Sequence, residues 1–465
     1  MRGAGHDVRI RGQGVERRRR RSGRHRAARR TPRGRSNPDE VFLPGDEGKQ
    51  TAMTDRGRRP DRLGVDRSEG FGERLLGVLL DRAHEMPPDL IAPLVAEEVA
   101  RVGGREVSIL LQDYEQVLLV PLPGRRLKVG GPEPVENSPA GEAFLGRRTV
   151  EVPKDGSVRM YLPLLDGSDQ IGVMAVTLDH VDDDDRRLLR RLAGLVADMI
   201  VTKDAYTDQF FQARRSAPMS VAAEIQWSLL PPLSMTVPQV EVAGILEPAY
   251  DVAGDSFDYA LNGDILHVAM LDAMGHGLDA ATMATVAVGA YRHTRRAHTD
   301  LSQVYAFMDR AIDEQFGPDH FVTAQMMILN IATGRLQWVN AGHPAPFLIR
   351  DRAVVDRLES PTTLPVGFGG EEPVVSERML RPGDRLLCFT DGLIEEHQVG
   401  GDQFGEKQLV EWTNRILRDR TEVRAVVRAL SHALKHERGG TTTDDATILL
   451  VEWRGGDADH LATLD

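Results

Sequence analysis

One cysteine, Cys388, occurs in 465 residues. A lone thiol excludes an intramolecular disulfide. Its place in the apolar run Arg385 to Phe389 assigns it to a core strand, which fits a reducing, cytoplasmic compartment. Long apolar runs are also missing. None approaches the roughly 20 residues that a membrane-spanning helix needs, and the N-terminus has no apolar segment of the kind a secretory signal requires. A Gly-rich phosphate loop ending in Lys is absent, which argues against P-loop nucleotide chemistry. No Cys/His set is spaced to hold zinc or a tetrapyrrole.

The formal charge of −12 conceals an asymmetry. Residues 1–60 hold 18 Lys and Arg against 7 Asp and Glu, leaving 40 against 63 in the rest. So acidic a body argues against nucleic acid as the main partner. The basic segment 1–68, with Arg17 to Arg21 in one run, is expected to be a disordered, solvated tail, since it has few apolar residues. It lacks the interleaved aromatics of a strand-binding tail, and Met53 is an alternative start to Met1. A hydrophobic content of 41% supports real cores, and the length suggests more than one domain.

Residues 70–205 read as one folded unit. Phe71 to Arg82 and Leu90 to Arg101 have helical spacing. Val107 to Gln112 pairs with Gln116 to Pro121, and Val158 to Leu164 with Gln170 to Leu178, as strands. Asp182 to Asp185 open a helix whose apolar stripe includes Leu189, Leu192, Val196 and Met199. Asn137 to Phe144, Leu162-Pro163-Leu164 and Gln170 to Met174 give this unit a resemblance to GAF domains, small sensory α+β domains that bind ligands or mediate dimerisation. The resemblance implies a sensor domain with an unknown ligand, or a purely dimerising one. Residues 206–233 are expected to be a helical linker with Val221, Ala222, Ile225 and Leu229 on one face, ended by Pro231-Pro232.

Acids at strand ends dominate the remainder, 234–455; a short tail, 456–465, follows. Ile265 to Leu271 reads as a buried strand and runs into Asp272-Ala273-Met274-Gly275-His276-Gly277. A carboxylate there, before a glycine turn, suits a hard cation. Asp251 to Asp258 lie upstream. Asp391 ends the strand Arg385 to Phe389, and Asp444-Asp445 precede the strand Thr447 to Val451. Each alone is equally a turn-forming Asp. Together, beside apolar strands where lone charges are costly, they point to a shared cation. Strand clusters with segregated helix pairs near 277–315 and 406–436 suit a layered α+β domain rather than a parallel α/β sheet.

Ala223 to Pro232, Gly254-Asp255, Asp272 to Gly277, Asn340 to Pro344, Phe389 to Gly392 and Asp444 to Thr447 occur in the order and approximate spacing of SpoIIE-like phosphatases, which this region resembles over about 222–453. These are bacterial members of the metal-dependent PPM (type 2C) serine/threonine phosphatases. The resemblance implies an α-β-β-α sandwich of two antiparallel sheets flanked by helices. It also implies two Mn²⁺ or Mg²⁺ ions that clamp a phosphoryl group and activate water. By the same mapping Asp272 bridges the ions, the Ala273 carbonyl completes one site, and Asp391 and Asp444 complete the other. Asp255 binds directly or orients water. Asp258 is a supporting partner or a structural cap, and Asp445 lies outside the ligand shell. His276 belongs to a turn, and His343 and Thr390 are architectural. Two positions depart from the family pattern: Ala253 replaces the first glycine of Gly-Gly-Asp, and Ala273 replaces valine. The implied substrate is a phosphorylated anti-sigma-factor antagonist in a partner-switching pathway. A homodimer through the 185–230 helices is also expected. A catalytically silent scaffold and a small-phosphoester hydrolase remain alternatives; metal-dependent turnover and substrate competition separate them.

Overall fold

The computed structural model describes residues 69–83, 85–124, 130–167, 169–250, 254–297, 300–361, 363–370, 372–394, 405–437 and 445–456. The basic tail, Asp251 to Ala253 and Asp444 lie outside the described residues.

The N-terminal part contains α1 (Glu69–Ala83), α2 (Ile91–Arg101), β1 (Arg105–Gln112), β2 (Leu118–Pro121), β3 (Glu133–Pro134), α3 (Pro139–Gly146), β4 (Val150–Lys154), β5 (Ser157–Asp166), β6 (Asp169–Leu178) and α4 (Asp183–Asp204). Its six strands form one antiparallel sheet, ordered β3-β2-β1-β6-β5-β4. Strand alternation divides its faces. Val107, Ile109 and Leu111 pack with α1, α2 and α4, whereas Leu110 turns to Phe144 of α3. The acidic start of α4 is a capping box: Asp182 accepts from the Asp185 amide at 2.9 Å and Asp185 from that of Asp182 at 3.2 Å.

The linker is not the continuous helix its periodicity suggests. It breaks into α5 (Gln209–Ala213) and α6 (Val221–Leu229). Pro218 cannot extend a helix and biases the residue before it to extended backbone. The Ser220 hydroxyl restarts one by accepting from the Ala223 amide at 3.1 Å. The buried face of α6 also differs from expectation. Ala222, Ala223 and Gln226 are buried, while Val221 is exposed.

The C-terminal part contains β7 (Ser234–Val237), β8 (Val240–Glu247), β9 (Asp255–Asn262), β10 (Ile265–Ala273), α7 (Gly277–Ala297), α8 (Leu301–Phe316), β11 (Val322–Asn330), β12 (Arg335–Ala341), β13 (Phe347–Arg350), β14 (Ala353–Arg357), β15 (Ser376–Met379), β16 (Arg385–Phe389), α9 (Gly405–Asp419), α10 (Val423–Glu437) and β17 (Ala446–Trp453). Two antiparallel sheets result, β15-β12-β11-β10-β9 and β14-β13-β16-β17-β8-β7. Their inner faces share one core, in which Phe257, Val268 and Met270 meet Val242, Cys388 and Leu449. The approach is close: a Cβ on Gly244 would lie 2.5 Å from the Phe257 ring. Helices α7 and α8 cover the outer face of the first sheet, and α9 and α10 that of the second. This is the expected α+β, α-β-β-α sandwich.

Strand β9 escapes a hydrophobicity reading because two of its first four residues are acids. The short edge strands β7, β14 and β15 escape it too, since half-exposed positions blur alternation.

Candidate active site at the seam of the two sheets

Four strands carry the apolar core on alternate residues, and at the same edge each series ends in a polar group. On β9 the series Leu261, Tyr259, Phe257 continues to Asp255. On β10 Leu266, Val268, Met270 continues to Asp272. Past β16, Leu386 and Cys388 lead to Thr390; on β17, Val451 and Leu449 lead to Thr447. Period-2 geometry therefore points two carboxylates from one sheet and two hydroxyls from the other into a common seam.

Asp255 and Asp272 are directly opposed Cα partners. Asp255 is 2% exposed, and its Oδ2 accepts hydrogen bonds from Thr390 Oγ1 at 2.6 Å and Thr447 Oγ1 at 2.8 Å. The Thr447 amide in turn donates to Thr390 Oγ1 at 2.9 Å. The Asp255 amide donates to Asp445 Oδ2 at 3.4 Å. Burial raises the Asp255 carboxyl well above its ordinary range, and the negative charges of Asp272 and Asp445 add to this; the two threonine hydroxyls oppose it. Half-buried Asp391 opens a short 3-10 turn, Asp391–Leu393, after β16. The Ala273 amide donates to the Gly254 carbonyl at 3.2 Å, which closes the β9–β10 edge.

The structure thus brings Asp255, Asp272 and Asp445 together. Asp444 lies outside the described residues. Among the described residues no three carboxylate, imidazole or thiol groups form a ready cage for an ion. The donors that do converge are all oxygens, and their mutual repulsion is of the sign a cation relieves. They fit a hard divalent ion.

Other candidates resolve structurally. Asp258 has the opposite strand parity from Asp255 and faces α7, where it pairs with Arg292 at 3.0 Å and Arg295 at 2.8 Å. His276 is exposed between Gly275 and Gly277, whose φ angles of 91° and 73° make the turn into α7. His343 is buried, and burial pushes its imidazole down to about 3. Its Nδ1 lies 2.8 Å from Thr323 Oγ1, and Asn340 holds both its amide and its carbonyl. Sequence reading missed Gln226: buried on α6, its Nε2 donates to the Asp255 carbonyl oxygen. The available signal was a glutamine three residues after a small helical residue, Ala223, which lets the helix approach closely.

Residues 262–454 match the family model described as Stage II sporulation protein E (SpoIIE). This match covers most of the two-sheet part of the chain, which thus contains a SpoIIE-type domain. Among curated relatives, Protein IcfG of Synechocystis sp. (strain ATCC 27184 / PCC 6803 / Kazusa) is 23% identical over 261 residues, 49% of this chain and 40% of that protein. Phosphoserine phosphatase RsbP of Bacillus subtilis (strain 168) is 26% identical over 197 residues, 40% of this chain and 47% of RsbP. The chain spans about half the length of the curated relatives it matches. Among solved structures, the SiaA-PP2C domain of Pseudomonas aeruginosa aligns with 22% identity over 50% of this chain and 93% of that one, at a TM-score of 0.44.

Proposed function

We propose that the chain is a metal-dependent protein serine/threonine phosphatase whose N-terminal, GAF-like part gates a SpoIIE-type catalytic domain. The observation that carries this reading is the opposed pair Asp255 and Asp272 in the acidic seam between the two sheets. Asp255, Asp272, Asp391, Asp444 and the Ala273 carbonyl would hold two Mn²⁺ or Mg²⁺ ions. The chemistry such ions supply is polarisation of phosphoryl oxygens and activation of water. The chain's own contribution is orientation. Thr390 and Thr447 occupy Oδ2 of Asp255 and fix its carboxylate plane, and Gln226 fixes the backbone beneath it.

The substrate is read as a phosphoserine or phosphothreonine on a protein, an anti-sigma-factor antagonist in a partner-switching pathway. Two relatives bear the name phosphoserine phosphatase, which matches the phosphorylated residue type. One feature supports a protein over a small phosphoester. Met274 and Leu278, beside the Asp272 turn, and Phe368, against Phe321, are exposed apolar side chains suited to a macromolecular surface. Among the described residues no helix is long and apolar enough to cross a membrane.

The test is hydrolysis of an aryl phosphate by residues 53–465 with Mn²⁺ and with chelator, beside Asp391→Ala. Manganese-dependent turnover lost in the variant is expected. Silence of both the longer chain and residues 218–465 would favour a non-catalytic scaffold.

A further inference from the structure

A cavity of about 260 Å³ lies where the N-terminal sheet, the broken linker and the start of α10 meet. We infer that it is a binding site for a small, neutral, planar heteroaromatic compound bearing carbonyl acceptors. The inference does not depend on the phosphatase reading.

Its walls are apolar and aromatic. Ile171 and Ile200 come from the N-terminal part, Phe210 and Phe211 from α5, and Trp227 from α6. Tyr114 sits among them, edge-on to Trp227 at 4.7 Å between ring centroids, with the Arg214 guanidinium 4.6 Å over its ring. Such surfaces favour a flat π-system.

Three of the residues that line it carry a buried polar atom left without a partner. Gln112 is 4% exposed, Tyr114 2% and Gln170 2%. The Nε2 atoms of both glutamines and the Tyr114 hydroxyl make no hydrogen bond. Buried polar atoms left unpaired are costly, and in native structures each calls for an explanation. The Gln170 amide is not free to turn over, because its Oε1 already accepts from Arg424 Nη1. Its Nε2 is therefore fixed as a donor. Burial pushes the Tyr114 phenol up to about 12, so it too keeps its proton. All three groups can donate, and a carbonyl-bearing ligand would satisfy them together.

Charge narrows the class. Asp166, Asp169 and Asp204 line the cavity against Arg214 and Arg424, an excess of acid that disfavours an anion. The volume is slightly below the roughly 300–1,000 Å³ of drug-sized pockets, which sets the scale of one or two fused rings. Trp227 in the wall immediately follows Gln226, the residue that holds the Asp255 carbonyl.

The test is saturation-transfer NMR of the whole chain with three neutral probes, theophylline, 4-quinazolinone and nicotinamide, and with benzoate as an anionic control. At least one neutral probe is expected to bind with Kd of about 1 mM or tighter, and benzoate at least tenfold more weakly. Tyr114→Phe removes only the unpartnered hydroxyl, so its melting temperature should equal or exceed that of the parent while probe affinity falls about fivefold or more. Gln112→Leu should weaken binding similarly. No saturation transfer from any neutral probe, the sign of a cavity holding water only, would overturn the inference. So would undiminished affinity in a folded Tyr114→Phe protein.

Discussion

A Cβ on Gly254 would lie 2.1 Å from the carbonyl oxygen of Ala273 and 3.1 Å from its amide nitrogen. The two residues also share the 3.2 Å hydrogen bond that closes the β9–β10 edge. Side-chain atoms can yield to such a clash, but backbone atoms at a strand pair cannot. Gly254→Ala is therefore expected to pry Asp255 from Asp272, destabilise the fold by about 1–3 kcal/mol as overpacking does, and remove most turnover. Thermal melts and aryl phosphate hydrolysis check this; an unchanged pair of values would show that the edge has slack.

Asp272→Asn keeps the shape and removes the charge. Turnover should vanish while the far-UV circular dichroism and melt stay native. Full activity in the metal-stripped variant would refute the assignment of Asp272 to the metal site.

Thr447→Val takes one of two donors from Asp255 Oδ2 without touching a carboxylate. A drop of about 10–100-fold in metal affinity or kcat is expected, the usual cost of losing a group that orients a ligand. Manganese titration of activity measures it.

The buried Asp258 carboxylate is held by Arg292 and Arg295 of α7. Asp258→Asn should cost about 3 kcal/mol, because it leaves the buried Arg295 without its counter-charge while Arg292 keeps access to water. Urea denaturation reads this directly, and the dependence on manganese should persist in whatever protein remains folded.

Burial pushes the Cys388 thiol up to about 12, and the side chain is 1% exposed. Alkylation by iodoacetamide at neutral pH should be negligible in the native protein and complete in denaturant, with one label per chain. Rapid labelling under native conditions would contradict the placement of β16 in the core.

Three of the four strands that meet at the seam were legible in the sequence: Ile265 to Leu271, Arg385 to Phe389 and Thr447 to Val451. Asp272, Asp391 and Asp255 stand out because acids beside apolar runs are expensive, and the motif order marks them together. Yet β9 was unread, since Asp255 and Asp258 mask the alternation of Phe257, Tyr259 and Leu261. Thr447 and Gln226 were also invisible as partners of Asp255. Their roles depend on which sheet edge or helix face comes to rest against it, a tertiary fact with no local signature. The α6 face failed for a related reason: Ala223 and Gln226 are buried and Val221 is exposed, so the buried face is set by the contacts of Ala223 with Leu246 and of Gln226 with the Asp255 carbonyl rather than by hydrophobicity.

Strand β17 is the last in sequence, but it lies between β16 and β8 in the middle of its sheet. Its Thr447 also completes the cradle of Asp255, some 190 residues earlier. A ribosome-bound chain that has made both opposed aspartates still lacks the strand that locks one of them in place. A chain cut anywhere between Asp272 and Thr447 keeps both opposed aspartates but loses the hydroxyl and the central strand that hold one of them in place.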